Sequence, residues 1–528
     1  MSEITTSNAA VGSHKYRFGW LVFFLLVIFV YFFGLTIPLV GPDEPRYAQV
    51  AREMLDRSDW VTPTLGGFNW FEKPALLYWL EMVSYKLFGV NEFAARFGPA
   101  IFGLGTILSL WILGRFMATE TIEKAANAEI KAATSFIAAN SVTKDFANWL
   151  ALIAATTLGI IVFSHGASFD IIITFPITAA LVSFFIFDQT KAASFNRKYF
   201  PLALFYIFIG IALLAKGLIG IVFPFAIVAF YFVLSRRFPS RTFLFSLVWG
   251  TLVALAVASI WYLPMYQRHA NEFIDEFFVQ HHFQRFTSNK YQHPQPFYFF
   301  LWILPLMTLP WLPFFLAAVW SNIRRIVRNQ AVDRGSLPVT QSPLLLFSTA
   351  WLLVPLAFFS LSGSKLPGYI LPSVPAATVL TAIYLYQLVN RSHWCRLTVA
   401  SIAVATLLVT VGLCIWAVPR FAAVDTVKGL IEAANERGHT SERVLNLHTT
   451  SHNAEFYASG RVLRDDAGKQ RRLFGAGEVK NEIVAGNGAP VLVLVPLEYL
   501  TQLTRDESLR SEVFGDNGEL AIVLVALR

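Results

Sequence analysis

Residues 41–78 read GPDEPRYAQVAREMLDRSDWVTPTLGGFNWFEKPALLY and carry ten Asp, Glu, Arg and Lys side chains. The whole chain of 528 residues is 55% hydrophobic and only 14% charged, whereas about a quarter of the residues of a soluble protein are charged. An apolar run at residues 18–38, preceded by Lys15 and Arg17, comes just before the charged stretch. Because such a run is long enough to cross a bilayer and its basic flank stays in the cytoplasm, we expect residues 41–78 to emerge on the outer side.

Further apolar runs recur along the chain, and at about 18–22 residues each is long enough to span a membrane as a helix. They predict a polytopic all-α membrane domain with roughly eleven or more spans at residues 18–418, after a cytoplasmic N-terminal tail at residues 1–17. The turns rich in Arg and Lys all fall on the same side in this topology, as expected for cytoplasmic turns. The outer loop that carries the charged stretch covers residues 39–96.

The last part of the chain, residues 419–528, lies outside the membrane in the same topology. Short apolar runs at 444–447, 491–495 and 521–527 are separated there by polar stretches of helical character. Alternation of this kind is typical of strands and helices in turn. The pattern predicts a small soluble α/β domain.

The net charge of +8 does not indicate nucleic acid as a partner, because the basic residues lie in short turns between spans. A Gly-rich phosphate loop between a strand and a helix would indicate a soluble nucleotide-sugar site, and the sequence contains none. The partners to expect are therefore membrane lipids and lipid-linked molecules.

Within the outer loop, apolar residues at positions 47, 50, 51, 54 and 55 predict an amphipathic helix over residues 44–56 that lies along the membrane surface. Asp43 stands where a residue capping that helix would be, so capping and chemistry are two open interpretations of its carboxylate. Residues 74–88 predict a second helix that is too short to span the membrane comfortably.

The topology brings several polar clusters to the outer face: Asp43-Glu44, Glu72-Lys73, residues 165–170, residues 280–285 and residues 365–369. Ionisable residues near a bilayer are functional candidates by default. Carboxylates, histidines and cations gathered at one membrane surface favour a site for a lipid-linked anionic substrate over a transmembrane pathway.

Each cluster also has a structural interpretation. Asp170 complements the dipole of the helix that it opens, and Glu72-Lys73 is a solvated ion pair. In the same interpretation Arg285 binds lipid headgroups, Tyr369 belongs to the interfacial belt of aromatic residues, and His281-His282 is an ordinary polar loop.

The outer loop also resembles that of a known family. Four stretches are similar to the first outer loop of the lipid A 4-amino-4-deoxy-L-arabinose transferase family: DEPRY at 43–47, DWVTP at 59–63, FEKPALLYW at 71–79 and FGVNEFAAR at 88–96. Further matches are SFD at 168–170, HFQRF at 282–286 and SKLPGY at 364–369. Together with the protein O-mannosyltransferases, that family belongs to the membrane glycosyltransferases of the GT-C fold, which use polyprenyl-phosphate sugars.

The resemblance implies a role for each matching residue. Asp43 matches the catalytic carboxylate and Asp170 a second essential acid. The donor and its phosphate would be bound by Arg46, Trp70, Lys73, Arg285 and Tyr369. A divalent metal ion, which the resemblance leaves optional, would be held by Glu72 with His281 or His282.

The chain departs from the family pattern in three places. Trp70 stands where a tyrosine is usual, which bears on donor binding. Ala75 replaces a second proline, and residues 119–145 replace a short inner turn, both away from the expected chemistry.

The function implied by the resemblance is transfer of a sugar from undecaprenyl phosphate to lipid A or a related envelope glycolipid, with 4-amino-4-deoxy-L-arabinose as the first candidate. The enzyme would lie in the bacterial inner membrane, with its C-terminal domain in the periplasm. Another polyprenyl-linked sugar, mannose or galacturonate, carried to protein or to the lipopolysaccharide core, is an alternative on the same fold.

Two alternatives come from other classes. A lipid or sugar transporter would have ionisable residues near the midpoints of its spans and often internal symmetry, whereas the charges here gather at one rim. A non-catalytic assembly protein that acts through residues 420–528 would tolerate the loss of Asp43.

Overall fold

The computed structural model describes residues 18–127, 145–190, 195–277, 295–327 and 341–528. A helical membrane part comes first and a soluble domain follows it. In chain order, the helices of the first part are α1 (Phe18–Phe32), α2 (Asp43–Asp56), α3 (Leu76–Phe88), α4 (Glu92–Asn127), α5 (Asp145–Ala155), α6 (Leu158–Ser164), α7 (Phe169–Gln189), α8 (Phe195–Lys216), α9 (Ile219–Leu234), α10 (Arg241–Phe273), α11 (Phe299–Met307), α12 (Leu312–Val327), α13 (Gln341–Ser360), α14 (Val374–Val389) and α15 (His393–Asp425). A 3₁₀ turn at Pro367–Ser373 leads into α14.

Within the described ranges, seven helical segments are long and apolar enough to cross a bilayer, by length and composition: α4, α7, α8, α10, α13, the 3₁₀ turn with α14, and α15. The pair α5 and α6 would be an eighth span, and α1 and α9 are shorter apolar helices. The predicted all-α membrane domain with many spans is confirmed. The predicted count of roughly eleven or more spans stays a prediction.

Two apolar stretches, at residues 146–164 and 297–320, are each long enough to predict a single span, and both are broken in the structure. Helices α5 and α6 meet at an angle of 59°. Thr157 stands at this break, and its hydroxyl donates to the carbonyl oxygen of Ile153 at 2.6 Å, a bond within the chain that bends helices. Helices α11 and α12 are separated by a turn that contains Pro310, a residue with no backbone N–H to continue a helix.

The outer loop folds into two short helices, α2 and α3, joined by a two-stranded hairpin. Its strands are β1 (Thr64–Leu65) and β2 (Phe68–Asn69). Tyr47, Val50 and Met54 of α2 are buried, which confirms the predicted amphipathic helix. Helix α3 is not among the candidate spans, as its length predicts.

The soluble domain contains α16 (Lys428–Glu436), β3 (Val444–Leu447), α17 (Asn453–Tyr457), β4 (Arg472–Leu473), α18 (Ala476–Ala485), β5 (Val491–Pro496), α19 (Thr501–Thr504), β6 (Leu509–Asp516) and β7 (Leu520–Leu527). Its sheet has the strand order β4-β3-β5-β7-β6, parallel from β4 to β5 and antiparallel from β5 to β6. Side chains of β5 alternate between two hydrophobic cores, one on each face of the sheet. The predicted α/β fold is confirmed, and α15 runs on to Asp425, past residue 418 where the prediction ends the membrane part.

A buried ion pair ties the outer loop to the membrane helices. Arg96 of α4 donates to both carboxylate oxygens of Glu44 in α2, at 3.0 and 2.7 Å. The two side chains are only 5% and 11% exposed. Arg96 also donates to backbone carbonyls within residues 35–38, and Glu44 accepts the N–H of Ala167 at 2.6 Å. The pair therefore joins the chain after α1, helix α2 and the segment that precedes α7.

A second buried carboxyl group lies beneath this pair. Glu81 of α3 is fully buried, and neither of its oxygens has a hydrogen-bond partner among the described residues. Burial, reinforced by the charge of Glu44, raises the pKa of Glu81 well above its ordinary value. Burial therefore favours the protonated, neutral form of Glu81 in the folded protein.

We expect Arg96→Ala to lower the free energy of unfolding by about 3–5 kcal/mol, because it leaves the charge of Glu44 buried without its partner. Denaturant unfolding in detergent micelles measures the loss. Arg471→Ala is the matched control: its ion pair with Glu482 lies in the soluble domain, with Arg471 48% exposed, so its loss should stay under about 1 kcal/mol. Equal losses for the two variants would contradict the importance of the buried pair.

Glu81→Gln should remove a dependence of stability on pH. Because Glu81 binds its proton more tightly in the folded chain, its stabilising contribution is complete below its ordinary pKa of 4.5 and is lost as the pH rises toward the raised folded-state pKa. The wild-type free energy of unfolding should therefore fall against that of Glu81→Gln by about 1.4 kcal/mol per pH unit above about pH 4.5. The check is unfolding of both proteins between pH 5 and 8, with Glu432→Gln, an exposed carboxylate, as control. Parallel curves for wild type and Glu81→Gln would show that Glu81 is charged in the fold.

Candidate functional site

Asp43 does not cap helix α2. The capping position is occupied by Pro42, Asp43 is the first helical residue, and its side chain accepts no capping hydrogen bond from the described backbone. Instead the carboxylate forms an ion pair with Arg46, one turn further along α2. The capping interpretation of Asp43 is therefore wrong, because the side chain faces a cation of the same turn. Half of the Asp43 side chain remains exposed, so the carboxylate can reach a bound molecule.

Arg46 is held on several sides at the start of α2. Its Nε donates to the carbonyl oxygen of Pro42 at 2.8 Å, and its guanidinium lies 5.9 Å from the ring centroid of Trp70. Burial alone would lower the pKa of Arg46, but the carboxylates of Asp43 and Glu72 outweigh it and raise that pKa. The guanidinium is therefore a fixed positive charge between two carboxylates.

Trp70 occupies the position where the resemblance leads one to expect a tyrosine. Its indole Nε1 is buried near the hydroxyl of Tyr78, yet neither atom makes a hydrogen bond of normal geometry in the described part of the chain. Buried polar atoms are nearly always paired in folded proteins. Trp70 and Tyr78 thus bring two buried polar groups close together near Arg46.

The hairpin that leads from α2 to Trp70 is shaped by Glu53. Its carboxylate accepts the N–H of Gly66 at 2.7 Å, the N–H of Gly67 at 3.1 Å and the hydroxyl of Thr64 at 2.8 Å. Both glycines have positive φ angles, 63° and 84°, which side chains other than glycine rarely adopt. Glu53 therefore holds the turn in place and fixes where the following strand delivers Trp70 and Glu72.

Glu72 and Lys73 form an ion pair of 2.8 Å just after the hairpin. The side chains are 14% and 11% exposed, so the pair is largely shielded from water and is not the solvated pair of the structural interpretation. A shielded charge is costly to leave unpaired. An anionic group that reaches Lys73 can take the place of Glu72 as its partner.

Asp170 forms the second carboxylate–cation pair of the outer face. It lies in the first turn of α7, where Ser168 caps the helix, and its carboxylate pairs with Lys216 at the end of α8. The Lys216 ammonium also lies 5.0 Å from the ring centroid of Tyr369. A side chain at Gly368 would collide with Asp170, so this glycine allows the 3₁₀ turn to approach the carboxylate.

Aromatic rings connect the two parts of the site. Phe169, next to Asp170, packs edge-on against Tyr47 and Tyr78, with ring centroids 4.9 and 5.4 Å apart. Tyr47 follows Arg46 in α2, and Tyr78 lies in α3, which begins after Lys73. The ring contacts therefore pack α2, which carries Asp43 and Arg46, and α3, which follows Lys73, against the start of α7, which carries Asp170.

Some members of the polar clusters predicted from the sequence are turned away from the site. The two ring nitrogens of His165 lie 2.8 and 3.0 Å from the carbonyl oxygens of Ile161 and Val30, so His165 holds α6 against α1. Lys365 is buried and donates to the carbonyl oxygen of Ser362 at 2.5 Å, within its own loop. Both residues therefore have structural partners.

Arg285, His281 and His282 lie outside the described residues, so their predicted roles stay predictions. Glu72 is the one proposed metal ligand within the described ranges, and its carboxylate pairs with Lys73. Those ranges contain no group of three or more His, Cys, Asp and Glu side chains that could hold a metal ion. The described residues do not make a metal site by themselves.

Sequence reasoning missed two residues that shape the site. Lys216 stands 46 residues from its partner Asp170, and the only local sign was a lysine that ends an apolar helix at the outer face. Glu53 gave no sign of its own, although the pair Gly66-Gly67 in front of Trp70 indicated a tight turn that something must hold.

Comparison with known proteins agrees with this arrangement. The family model described as "Dolichyl-phosphate-mannose-protein mannosyltransferase" matches residues 18–122 and 132–274. The enzyme of Yersinia enterocolitica named undecaprenyl phosphate-alpha-4-amino-4-deoxy-L-arabinose arabinosyl transferase is 32% identical over 357 residues, 67% of this chain and 56% of that protein. The enzyme of the same name from Shewanella sediminis is 32% identical over 376 residues, 70% of this chain and 60% of that protein. The match thus spans somewhat more than half the length of these curated relatives.

The fold has a close counterpart among solved structures. The crystal structure of ArnT from Cupriavidus metallidurans bound to undecaprenyl phosphate superposes with a TM-score of 0.73 at 22% identity, covering 96% of this chain and 98% of that chain. The apo state of the same protein gives a TM-score of 0.69. At this identity the likeness concerns the fold, and it extends over the membrane part and the soluble domain. The chain is thus similar in sequence to the aminoarabinose transferases and, over residues 18–122 and 132–274, to the protein mannosyltransferase family, and it shares the fold of ArnT.

Proposed function

We propose that this chain transfers 4-amino-4-deoxy-L-arabinose from undecaprenyl phosphate to lipid A or a related envelope glycolipid. The observation that carries the proposal is the pair of carboxylate–cation contacts, Asp43–Arg46 in α2 and Asp170–Lys216 between α7 and α8, with α2 packed against the start of α7 through Tyr47 and Phe169. The names of the relatives supply the sugar and its carrier. The enzyme would work in the bacterial inner membrane, with the outer loop and the soluble domain on the periplasmic side.

The cations of the site suit departure of the lipid phosphate. Transfer breaks the bond between the anomeric carbon of the sugar and a phosphate oxygen, and undecaprenyl phosphate leaves with one more negative charge. Lys73 and Lys216, joined by Arg285 in this proposal, would stabilise that growing charge, more strongly where water is excluded. Trp70 and Tyr369 would line the donor beside these cations, and Arg46 would contact its phosphate.

The carboxylates suit activation or placement of the acceptor. A new bond forms between the anomeric carbon and an acceptor oxygen. If that oxygen belongs to a hydroxyl group, its proton must pass to a base, and the half-exposed carboxylate of Asp43 is the candidate. If it belongs to a phosphate of lipid A, it is already a nucleophile, and Asp43 with Arg46 would position it. Asp170 would keep Lys216 oriented toward the donor.

The match to the mannosyltransferase family model favours one alternative on the same site, transfer of mannose or another polyprenyl-linked sugar to protein or to the lipopolysaccharide core. The donor chemistry is the same in both cases. The assay below therefore includes other polyprenyl-phosphate sugars as donors and protein as an acceptor.

We expect Asp43→Asn to lower kcat by about 10²–10⁴-fold, because it removes the negative charge and the base while keeping the size of the side chain. Purified wild type and variant are reconstituted with undecaprenyl-phosphate-aminoarabinose and lipid A, and the lipid A is analysed by mass spectrometry. A folded variant as active as wild type would remove Asp43 from the chemistry. If wild type leaves lipid A unmodified but transfers another sugar or uses another acceptor, the proposed substrates are wrong. If wild type is inactive with every donor, the proposed enzyme activity is wrong.

Lys216→Met should lower kcat by about 10²–10³-fold, the usual effect of removing one group that stabilises charge in the transition state. The matched control is Arg237→Met, because Arg237 pairs with Asp188 near the other end of α7 as Lys216 pairs with Asp170 at its start. Arg237→Met should keep nearly full activity in the same assay. Similar losses for the two variants would mean that Lys216 only stabilises the helix bundle.

A further inference from the structure

The soluble domain contacts helix α2 through hydrogen bonds and hydrophobic packing. Arg52, in the middle of α2, donates to the carbonyl oxygen of Phe456 at 2.7 Å and to the hydroxyl of Ser459 at 3.0 Å. Its guanidinium also lies 4.2 Å from the ring centroid of Phe456. Phe456 is buried in the same hydrophobic cluster as Val50 of α2. One short helix of the soluble domain, α17, is thus packed into the core of the membrane part.

A second contact reaches the chain just before Asp43. The carboxylate of Asp425, the last residue of α15, accepts the N–H of Gly41 at 2.7 Å. Gly41 has a positive φ of 66°, the conformation that turns the chain into α2. The backbone oxygen of Asp425 in turn accepts a hydrogen bond from the side-chain amide of Asn453, the first residue of α17, at 3.0 Å. Asp425 therefore links the soluble domain to the turn from which Asp43 projects.

A third contact lies between these two. The hydroxyl of Tyr457 accepts the N–H of Leu39 at 2.7 Å and donates to Glu92 at the start of α4 at 3.2 Å. Lys428 of the soluble domain forms an ion pair with the same Glu92 at 2.7 Å. The segment between α1 and α2 is therefore fixed to the soluble domain as well as to Arg96.

The soluble domain also contacts the β1–β2 hairpin, through Arg464. The Arg464 side chain lies so close to Gly66 that any side chain at that position would collide with it. Arg464 is itself buried and paired with Glu455, so it cannot move aside easily. The same hairpin carries the chain on to Glu72 and Lys73.

We propose that the soluble domain is a clamp for the catalytic loop: it fixes Asp43 and Arg46 relative to Glu72 and Lys73, with Asp425 as the positioning residue at the start of α2. The proposal rests on the proposed function for its catalytic consequence. Its structural content, that Asp425 orders the beginning of α2, stands by itself. The soluble domain, for which the sequence predicted an α/β fold and no role, would thus position catalytic residues.

His452, which precedes α17, supports this placement. Burial lowers the pKa of His452 and the charge of Arg46 lowers it further, whereas Asp43 opposes them. The imidazole is thus close enough to Asp43 and Arg46 to feel both charges. The soluble domain therefore borders the site directly at this end of α2.

Small displacements are enough to matter here. Reacting groups must be held in a narrow range of distances, and a misplacement of about 1 Å can cost on the order of 10²-fold in rate. Asp43 sits in the first turn of a surface helix, where the backbone has no preceding helical turn to hold it. Contacts outside the helix must therefore supply the order, and the Gly41–Asp425 bond is one of them, with Asp425 itself bonded to Asn453 of the soluble domain.

The test compares Asp425→Ala with Asp425→Asn in the full chain. The amide oxygen of asparagine can still accept the Gly41 N–H, whereas alanine cannot. We expect Asp425→Ala to lower kcat by about 10- to 100-fold with little change in KM for the donor. The variant should still bind the donor in the ground state, but Asp43 and Arg46 should no longer be aligned for the reaction. Asp425→Asn should restore most of the activity. Arg471→Ala, which breaks an ion pair inside the soluble domain, should leave activity unchanged.

Hydrogen exchange of the amides at residues 41–48 is the second measurement, and it needs no activity. Asp425→Ala should raise exchange there, and Asp425→Asn should raise it much less. Should Asp425→Ala not fold, Tyr457→Phe replaces it, since it removes one hydroxyl group and keeps the ring. The clamp is overturned if Asp425→Ala leaves hydrogen exchange at residues 41–48 unchanged. It is also overturned if Asp425→Ala lowers the stability of the protein but keeps the wild-type kcat. Inactive wild type with raised exchange in the variant rejects the proposed function and keeps the clamp.

Discussion

The outer loop depends on one interaction above all, the buried pair of Glu44 and Arg96. Two charges taken out of water are stable only when hydrogen bonds replace the lost solvent. Arg96 meets this condition with the carbonyls of residues 35–38, and Glu44 with the N–H groups of Val40 and Ala167. Since these partners come from separate segments, forming the pair also sets how those segments meet. Because Asp43 is the residue next to Glu44, the Glu44–Arg96 pair also fixes the position of the backbone that carries the Asp43 carboxylate.

A site built of paired charges selects its ligand by competition. Arg46, Lys73 and Lys216 each have a carboxylate partner in the structure. A neutral lipid offers these cations nothing in exchange for that partner, whereas a phosphate group can replace it with charge-assisted hydrogen bonds. Discrimination thus comes from the interaction that an unsuitable ligand would break as well as from the one that a suitable ligand makes. The arrangement favours a ligand that carries a phosphate group over an uncharged molecule.

The parts of the fold that sequence could predict are those governed by local pattern. Apolar length predicted the membrane helices, and the spacing of Tyr47, Val50 and Met54 predicted α2, because both depend on neighbours along the chain. The pairing of Lys216 with Asp170 has no local sign, since it joins the end of one helix to the start of another across 46 residues. Motif resemblance pointed to Asp43, Glu72-Lys73 and Asp170 but could not say how they are partnered. The capping prediction for Asp43 failed because Pro42 occupies that position and Arg46 is within reach.

The position of α2 gives a physical reason for a soluble domain beside the membrane helices. A spanning helix is held upright by the bilayer, which satisfies its apolar surface on all sides. Helix α2 has no such support, because it is short and only one of its faces is apolar. Its apolar face lies against the membrane part through Tyr47 and Met54, and its polar side meets the soluble domain through Arg52. The bilayer cannot order a surface helix such as α2, and the soluble domain supplies that order instead. Asp43 and Arg46, which need to be ordered most, lie at the start of α2, where the membrane part and the soluble domain meet.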